Sequence, residues 1–220
     1  MQNQAVSRAL RRHVRPGLIE AGFEDFTGRK AWRRNGDVVE VVEFQAAGAT
    51  ASFGVGCTPF SFSVRAGVLY AECEGVGDNS SVRVTRPDYQ HCTFQFELGK
   101  RLRQPLAFRP WADGPAQDRA DTWAVWDDCS NVGEVVEDAA GTLLTTGMSI
   151  LAQFNTPTSA YAALLTRDSS ATDFGSPGVW MPGAPGSPRW TDTVRCLAAQ
   201  VGRNADDDLS NAPVLDAPNA

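Results

Sequence analysis

Two histidines, five cysteines and several acidic pairs are the side chains in this sequence that could perform catalysis. A Ser-His-Asp or Cys-His site needs a histidine that an acid holds and that faces a nucleophile. His13 lies among arginines and His91 precedes a strand-like segment, and neither sits in a recognisable local motif such as G-x-S-x-G. We therefore expect no catalytic residue and favour a protein that is not an enzyme.

The cysteines do not resemble a metal knuckle or a disulfide framework. Their number is odd, their spacings are wide and no C-x-x-C occurs. The five are Cys57, Cys73, Cys92, Cys129 and Cys196. We expect reduced thiols, most of them packed in the core, and no bound metal.

One acidic pair supports an alternative function. Glu72 and Glu74 are two residues apart, so on a strand they would share one face and could hold a cation. This alternative is a metal-dependent enzyme of unfamiliar type, although a solvated sheet face explains such a pair more simply. No Walker A sequence and no G-x-G-x-x-G occur, so no cofactor is expected.

A basic arm is the main candidate binding site. It comprises Arg29, Lys30, Trp32, Arg33 and Arg34 around a predicted hairpin. Arg8, Arg11, Arg12 and Arg15 could lie nearby on a helix. Guanidinium groups beside an aromatic ring could bind an acidic partner, RNA or a phosphate ligand. The other reading is a solvated arm whose side-chain stems cover the sheet.

Charge is distributed unevenly along the chain. Residues 1–34 carry eight Lys and Arg against three Asp and Glu, whereas the remainder carries 12 against 23, and the net charge is −6. An acidic body is a poor general nucleic-acid binder, because phosphate contacts supply most of that affinity. The acidic surface favours a protein partner of opposite charge.

The elements that position these residues follow from periodicity. Val6, Leu10, Val14 and Leu18 recur every four residues and predict a helix over 3–22, in which Pro16 should cause a kink or start a second helix. Residues 26–34 and 38–45 flank Asn35-Gly36, a strong hairpin signal. Further strands are predicted over 50–57 and 93–99, one or two over 60–71, and a short strand or extended entry over 122–126.

Later in the chain the apolar period becomes helical. It predicts a helix over 132–153 with a capping box formed by Asn131 and Glu134, followed by short helices. Residues 169–190 are rich in Gly and Pro and predict a loop. A run of strands between runs of helices indicates an α+β fold with an antiparallel sheet. We expect one domain over 1–203 and a disordered tail over 204–220.

Several of these segments together resemble the DUF4304 family, a domain of unknown function. The similarity includes ALRRHVRPGLIEAGF with its L-x-x-x-G-F turn (Leu18 to Phe23), the aromatic strand at Trp32, the hairpin and the valine-rich strand ending near Phe44. HCTFQFELGKRL, then TWAVWDD and a long helix, resemble the later half. The resemblance covers about residues 8–165. It implies the same α+β fold and no particular activity.

The expected function is a non-enzymatic protein-interaction module, of an immunity-like or regulatory kind. The start of the chain lacks the apolar run of a signal peptide, and no segment is long and apolar enough to span a bilayer, so a cytoplasmic location without membrane contact is expected. RNA or phosphate binding at the basic arm is a third hypothesis. The oligomeric state stays open.

Overall fold

Six strands form a single antiparallel sheet in which every strand pairs with its neighbour in sequence. The computed structural model of the protein describes residues 2–73, 86–104, 119–166, 178–180, 182–183 and 186–210. The strands are β1 (Asp25–Phe26), β2 (Lys30–Asn35), β3 (Val38–Ala46), β4 (Phe62–Tyr70), β5 (Phe94–Glu97) and β6 (Gly178–Trp180). The predicted α+β class with an antiparallel meander is confirmed.

Helices lie before the first strand, between β3 and β4, between β5 and β6, and after β6. They are α1 (Gln2–His13), α2 (Arg15–Glu20), α3 (Gly48–Val55), α4 (Val132–Thr142), α5 (Met148–Ala152), α6 (Pro157–Thr166), α7 (Pro188–Gln200) and α8 (Ala205–Leu209). A π-helical turn, Leu143–Gly147, joins α4 to α5 without a break, which agrees with the helix predicted over 132–153. Short 3₁₀ turns lie at Ala71–Cys73 and Tyr89–His91.

The N-terminal helix bends where the sequence predicts a kink. Val14 separates α1 from α2, and Pro16 occupies the first turn of α2, where a missing backbone N–H is tolerated. Gly22 ends the pair with a positive φ of 87°. Val6, Leu10, Val14 and Leu18 are all buried, so the apolar stripe faces the core.

The Asn35-Gly36 hairpin is also present. Asn35 pairs with Val38, and Gly36 adopts a positive φ of 59°, as a tight turn between twisted strands requires. β3 then pairs with β4 along its whole length, from Val38 with Tyr70 to Ala46 with Phe62.

The predicted strand at 50–57 is wrong. These residues instead belong mostly to α3, which ends at Gly56 in the left-handed conformation. Because Ala46 pairs with Phe62, residues 47–61 must reverse the chain, and a short helix accomplishes this while a strand would not. Its alanines favour a helix, which outweighs the weak alternation of small and large side chains.

The two faces of the sheet are covered differently. One face carries Val42, Phe44, Val64, Ala66, Phe94 and Phe96 and packs on the helices in the main core. The other face carries a smaller apolar cluster of Trp32, Val39, Val41, Leu69 and Cys92. Residues 86–93 contribute to this second cover, because Trp32 Nε1 donates to the carbonyl of Pro87 over 2.8 Å.

Asn131 does not form the predicted capping box with Glu134. Its side chain accepts from the backbone N–H of Trp126 over 2.9 Å and donates to the carbonyl of Ala124 over 2.9 Å. Asn131 thus fixes the chain that enters α4, and the segment 122–126 makes one bridge to the sheet, between Trp123 and Phe62.

Cys73 and Cys196 form a disulfide, so the expectation of reduced thiols is wrong for this pair. The bond joins the 3₁₀ turn after β4 to α7, and the two Cα atoms lie 5.7 Å apart. A separation of 123 residues gives no local sequence signal for such a bond. Cys57, Cys92 and Cys129 are free.

The end of the chain is more ordered than expected up to residue 210. Residues 205–209 form α8, Asn204 caps it by accepting from the N–H of Asp206, and Ala205 is buried. Tyr161 donates to the Asp208 carboxylate over 2.6 Å, which ties α8 to α6. The predicted tail beyond residue 210 lies outside the described residues. The loop predicted over 169–190 is wrong in part, because Gly178–Trp180 form β6 and α7 begins at Pro188; most of that segment otherwise lies outside the described residues.

Candidate ligand pocket

The five residues of the predicted basic arm do not form one surface. Side chains alternate along β2, so Lys30, Trp32 and Arg34 point to one face of the sheet and Arg33 points to the helix-covered face. Arg29 lies just before the strand. Binding by these residues stays a prediction, and each of them has its own surroundings.

Acidic partners neutralise Lys30. Its ammonium contacts Asp88 and lies 3.3 Å from Glu43. Burial alone would lower the pKa of Lys30, but these two carboxylates raise it. Trp32 is buried beside this group beneath residues 86–93, and is a packing residue.

Arg33 and Arg34 are also paired. Arg33 binds the buried Glu40 through two nitrogens and donates to the carbonyl of Ala21. Arg34 approaches Asp25 at 3.7 Å. Three of the four cations in the predicted arm therefore have carboxylate partners within the fold.

Arg29 differs from the rest of the arm. Its Nη2 donates to Asn3 Oδ1 over 3.2 Å. Its Nη1 is buried and has no hydrogen-bond partner among the described residues. Burial lowers the pKa of this guanidinium, because no carboxylate compensates the lost hydration.

Arg29 borders a pocket of about 390 Å³ between α1–α2 and the turn that connects β1 to β2. Its polar lining consists of Ser7, Arg11, Arg15, Thr27, Gly28, Arg29 and Lys30. Its apolar lining consists of Leu10, Val14, Leu18, Phe26, Ala31 and Phe44. The size falls in the range of small-molecule sites, roughly 300–1,000 Å³.

The charged residues that line this pocket, called the basic pocket below, are all Arg or Lys. Arg11, Arg15 and Arg29 line it, together with Lys30, whose ammonium is paired with Asp88 and Glu43 on the other face of the sheet; no acidic side chain lines it within the described part of the chain. Arg11 Nε donates to the Ser7 carbonyl over 3.3 Å, and the Arg15 guanidinium lies over the Phe26 ring at 4.6 Å. These contacts orient both arginines without cancelling their charge, so the pocket attracts anions.

Sequence reasoning identified part of this site. Arg29 and Lys30 belong to the predicted arm, and Arg11 and Arg15 were expected near it. Ser7, Phe26 and Thr27 were missed. The available signal was the position of Arg11 and Arg15, one residue after Leu10 and Val14 of the buried stripe, which places them at the edge where α1–α2 meets the sheet.

The predicted acidic pair lies only partly within the described residues. Glu72 lies in a 3₁₀ turn and not on a strand, and Glu74 lies outside the described residues. Over the ranges that the structure describes, no group of three His, Cys, Asp or Glu side chains could hold a metal ion. His13 pairs with Glu137 at 3.3 Å, and His91 ends a 3₁₀ turn on the other face of the sheet.

A second polar cluster lies between β4, β5 and residues 119–121. Arg65 Nε donates to the buried Glu97 over 3.1 Å, and Arg119 pairs with the buried Asp121 at 2.6 Å. Burial raises the pKa of Glu97, against the effect of Arg65. Each carboxylate here has its own guanidinium partner, which is the arrangement of structural ion pairs.

No family model, curated protein or solved structure matches this chain. The resemblance to the DUF4304 family consequently stays a prediction. Among the helices of the described ranges, none combines the length and apolar character needed to cross a membrane.

Proposed function

We propose that this chain is a non-enzymatic interaction module that recognises an acidic group of its partner in the basic pocket. The observation that carries the proposal is the buried Nη1 of Arg29, without a hydrogen-bond partner among the described residues, in a pocket that Arg11 and Arg15 also line. A carboxylate or phosphate oxygen placed there would accept the missing hydrogen bond.

The energetics favour a ligand over an idle arginine. A buried donor without a partner costs about 1–3 kcal/mol, and more when the group is charged. Such a cost is tolerated where it serves binding, because the ligand then supplies the absent acceptor. Asn3 holds Arg29 from the other side, so the guanidinium is oriented before the ligand arrives.

The pocket chemistry supports binding more than catalysis. Among its described lining residues there is no Asp, Glu, His or Cys, so no ordinary general base faces the space. RNA is a weaker proposal, because Lys30, Arg33 and Arg34 are internally paired and the whole chain carries a net charge of −6.

Arg29→Met tests the proposal, with Arg12→Met as a control of equal charge change at an exposed position of α1 outside the pocket. The readouts are thermal unfolding and titration calorimetry with acetate and inorganic phosphate at constant ionic strength. We expect both anions to raise the melting temperature of wild type and of Arg12→Met, and to leave Arg29→Met unchanged. Equal responses in all three proteins would refute the proposal.

The ligand-free proteins provide a second readout. Arg29→Met removes an uncompensated buried charge and keeps an apolar stem, so its melting temperature should equal or exceed that of wild type. A purely structural arginine would show a lower melting temperature on this substitution. The combination of maintained stability with lost anion binding identifies a residue kept for its ligand.

We also propose a cytoplasmic location, which rests on the sequence alone. The Cys73–Cys196 bond is more usual in oxidising compartments. Adding a maleimide to intact cells and then denaturing them in the same reagent distinguishes the two, because the unfolded chain would label at five cysteines if the bond is reduced and at three if it is oxidised. Labelling at three would count against the cytoplasm.

A further inference from the structure

We infer that the ligand of the basic pocket is a small amphipathic anion, with one acidic head at Arg29 and an apolar body against the buried face of α1–α2. This inference rests on the proposed function and adds the chemical class of the ligand. It follows from the division of the pocket lining into a cationic part and an apolar part.

The head position is set by Arg29. Arg29 lines the pocket, its Nη1 has no hydrogen-bond partner among the described residues, and the exposed Arg11 and Arg15 line the same pocket from successive turns of α1–α2. One acidic group with two or three oxygens can accept from Arg29 while the two rim arginines remain partly hydrated. Charge-assisted hydrogen bonds of this kind are about twice as strong as neutral ones.

The body position is set by the apolar lining. Leu10, Val14 and Leu18 come from the helix stripe, and Ala31 and Phe44 come from the facing strands. Inorganic phosphate would leave most of a pocket of about 390 Å³ in contact with water alone. An alkyl chain or a ring attached to the head would cover this surface and gain its burial free energy.

The same division argues against macromolecular ligands. A glutamate side chain of a partner protein carries only two methylene groups before its peptide backbone, whose polar atoms would meet an apolar wall. An RNA phosphate is flanked by sugars on both sides and lacks an apolar body. The concave shape of the pocket and its single cationic region therefore favour a small free molecule with one carboxylate or one phosphate monoester group.

Titration calorimetry with acetate, butyrate, hexanoate and octanoate tests the inference on the wild-type protein. All four carry the same head, and the concentrations stay below micelle formation. We expect each methylene that enters the pocket to tighten binding about fourfold, with a plateau once the pocket is full. Octanol, which lacks the charged head, should bind more weakly than octanoate.

Two outcomes separate the inference from the proposed function. If acetate binds through Arg29 and octanoate binds no tighter, the ligand class is wrong and the recognition of an acidic group stands. If neither the four carboxylates nor inorganic phosphate bind, both fail. Phosphate monoesters with the same chains show whether the head prefers a dianion.

Ser7→Phe locates the body within the pocket. Ser7 lines the pocket from α1, one turn before Leu10, so a phenyl ring there should occupy the space of the chain and remove the length dependence while acetate affinity is kept. Gln4→Phe is the matched control, because Gln4 is exposed on the same helix and does not line the pocket. Unchanged length dependence in a folded Ser7→Phe protein would overturn the inference, and the wild-type series decides it if that variant does not fold.

Discussion

Arg33 and Glu40 face each other across β2 and β3, and their ion pair lies inside the fold: Glu40 is 3% exposed. Arg33 Nη2 donates to Glu40 Oε1 over 2.8 Å, and the guanidinium also lies over the Phe23 ring at 5.0 Å. With the further bond to the Ala21 carbonyl, this arginine joins the end of α2 to the sheet.

Arg33→Leu should lower the free energy of unfolding by about 3–5 kcal/mol, because it leaves a buried carboxylate without its partner. The double variant Arg33→Leu/Glu40→Leu should lose less than the single one, since both charges are then gone. Urea denaturation measures each value. Arg195→Leu is the control, because its ion pair with Asp206 is exposed on both sides, and a similar loss in both single variants would contradict the structure.

Gly67 on β4 has no room for a side chain. An added Cβ would lie 2.6 Å from Cys92 Sγ and 3.1 Å from the Phe94 carbonyl oxygen. Gly67→Ala should therefore destabilise the protein by about 1–3 kcal/mol through overpacking. Gly54→Ala, in α3 with nothing within 4 Å, should stabilise it by about 0.5–1 kcal/mol. Chemical denaturation measures the unfolding free energy of both variants. A stabilised Gly67→Ala protein or a destabilised Gly54→Ala protein would contradict the prediction.

Removal of the disulfide should destabilise the chain. Cys73→Ser/Cys196→Ser opens a loop of 123 residues, and the expected loss is about 2–5 kcal/mol. Dithiothreitol should lower the melting temperature of wild type and leave the double variant unchanged. A thiol count of five in denatured, unreduced wild type would show that the bond does not form.

Glu97 should make stability fall as pH rises. Burial raises its pKa in the folded protein, so the folded state binds the proton more tightly than the unfolded chain does. Its favourable contribution is complete below the usual glutamate pKa and is lost as pH rises through the raised value. As the pH rises from the usual glutamate pKa through the raised value, the unfolding free energy of wild type should therefore fall relative to that of Glu97→Gln.

Asp88 should make stability depend on pH in the opposite direction to Glu97. The hydrogen bond from Lys30 lowers its pKa, so its contribution is present above the usual aspartate value and is lost as pH falls through the lowered one. The Asp88→Asn variant should be less stable than wild type above the usual aspartate pKa. The difference in unfolding free energy between the two proteins should become smaller as the pH falls into the acid range. If the unfolding free energies of Glu97→Gln and Asp88→Asn, each taken relative to wild type, changed with pH in the same direction, the ion pairs described for Glu97 and Asp88 would be contradicted.

Much of the fold was predictable because its signals are local. The stripe from Val6 to Leu18, the Asn35-Gly36 turn and the long period after Val132 each specify an element without reference to the rest of the chain. The prediction of a strand over 50–57 was wrong because the small residues of this segment fit both the period of a strand and the period of a helix. Its helix is imposed by the pairing of Ala46 with Phe62, which a local pattern does not contain.

The site was harder to predict than the fold. A row of cations in sequence does not show which of them meet carboxylates across the sheet, and Glu40, Glu43, Asp88 and Asp25 occupy three different segments. Arg29 became distinct only once those partners were placed. The Cys73–Cys196 bond was invisible for the same reason, since it depends on two elements far apart in the chain.

The helix α1 forms one wall of the basic pocket and also packs along α4, where His13 meets Glu137 and Gln2 donates to the Asp127 carbonyl. The opposite wall belongs to the sheet. If a bound molecule displaces α1, the contact between α1 and α4 changes with it, and a partner of α4 that favours one arrangement of that contact changes the affinity of the pocket by the same factor, because coupling between two sites is reciprocal. A partner that grips α4 could in this way sense an occupied pocket without touching it.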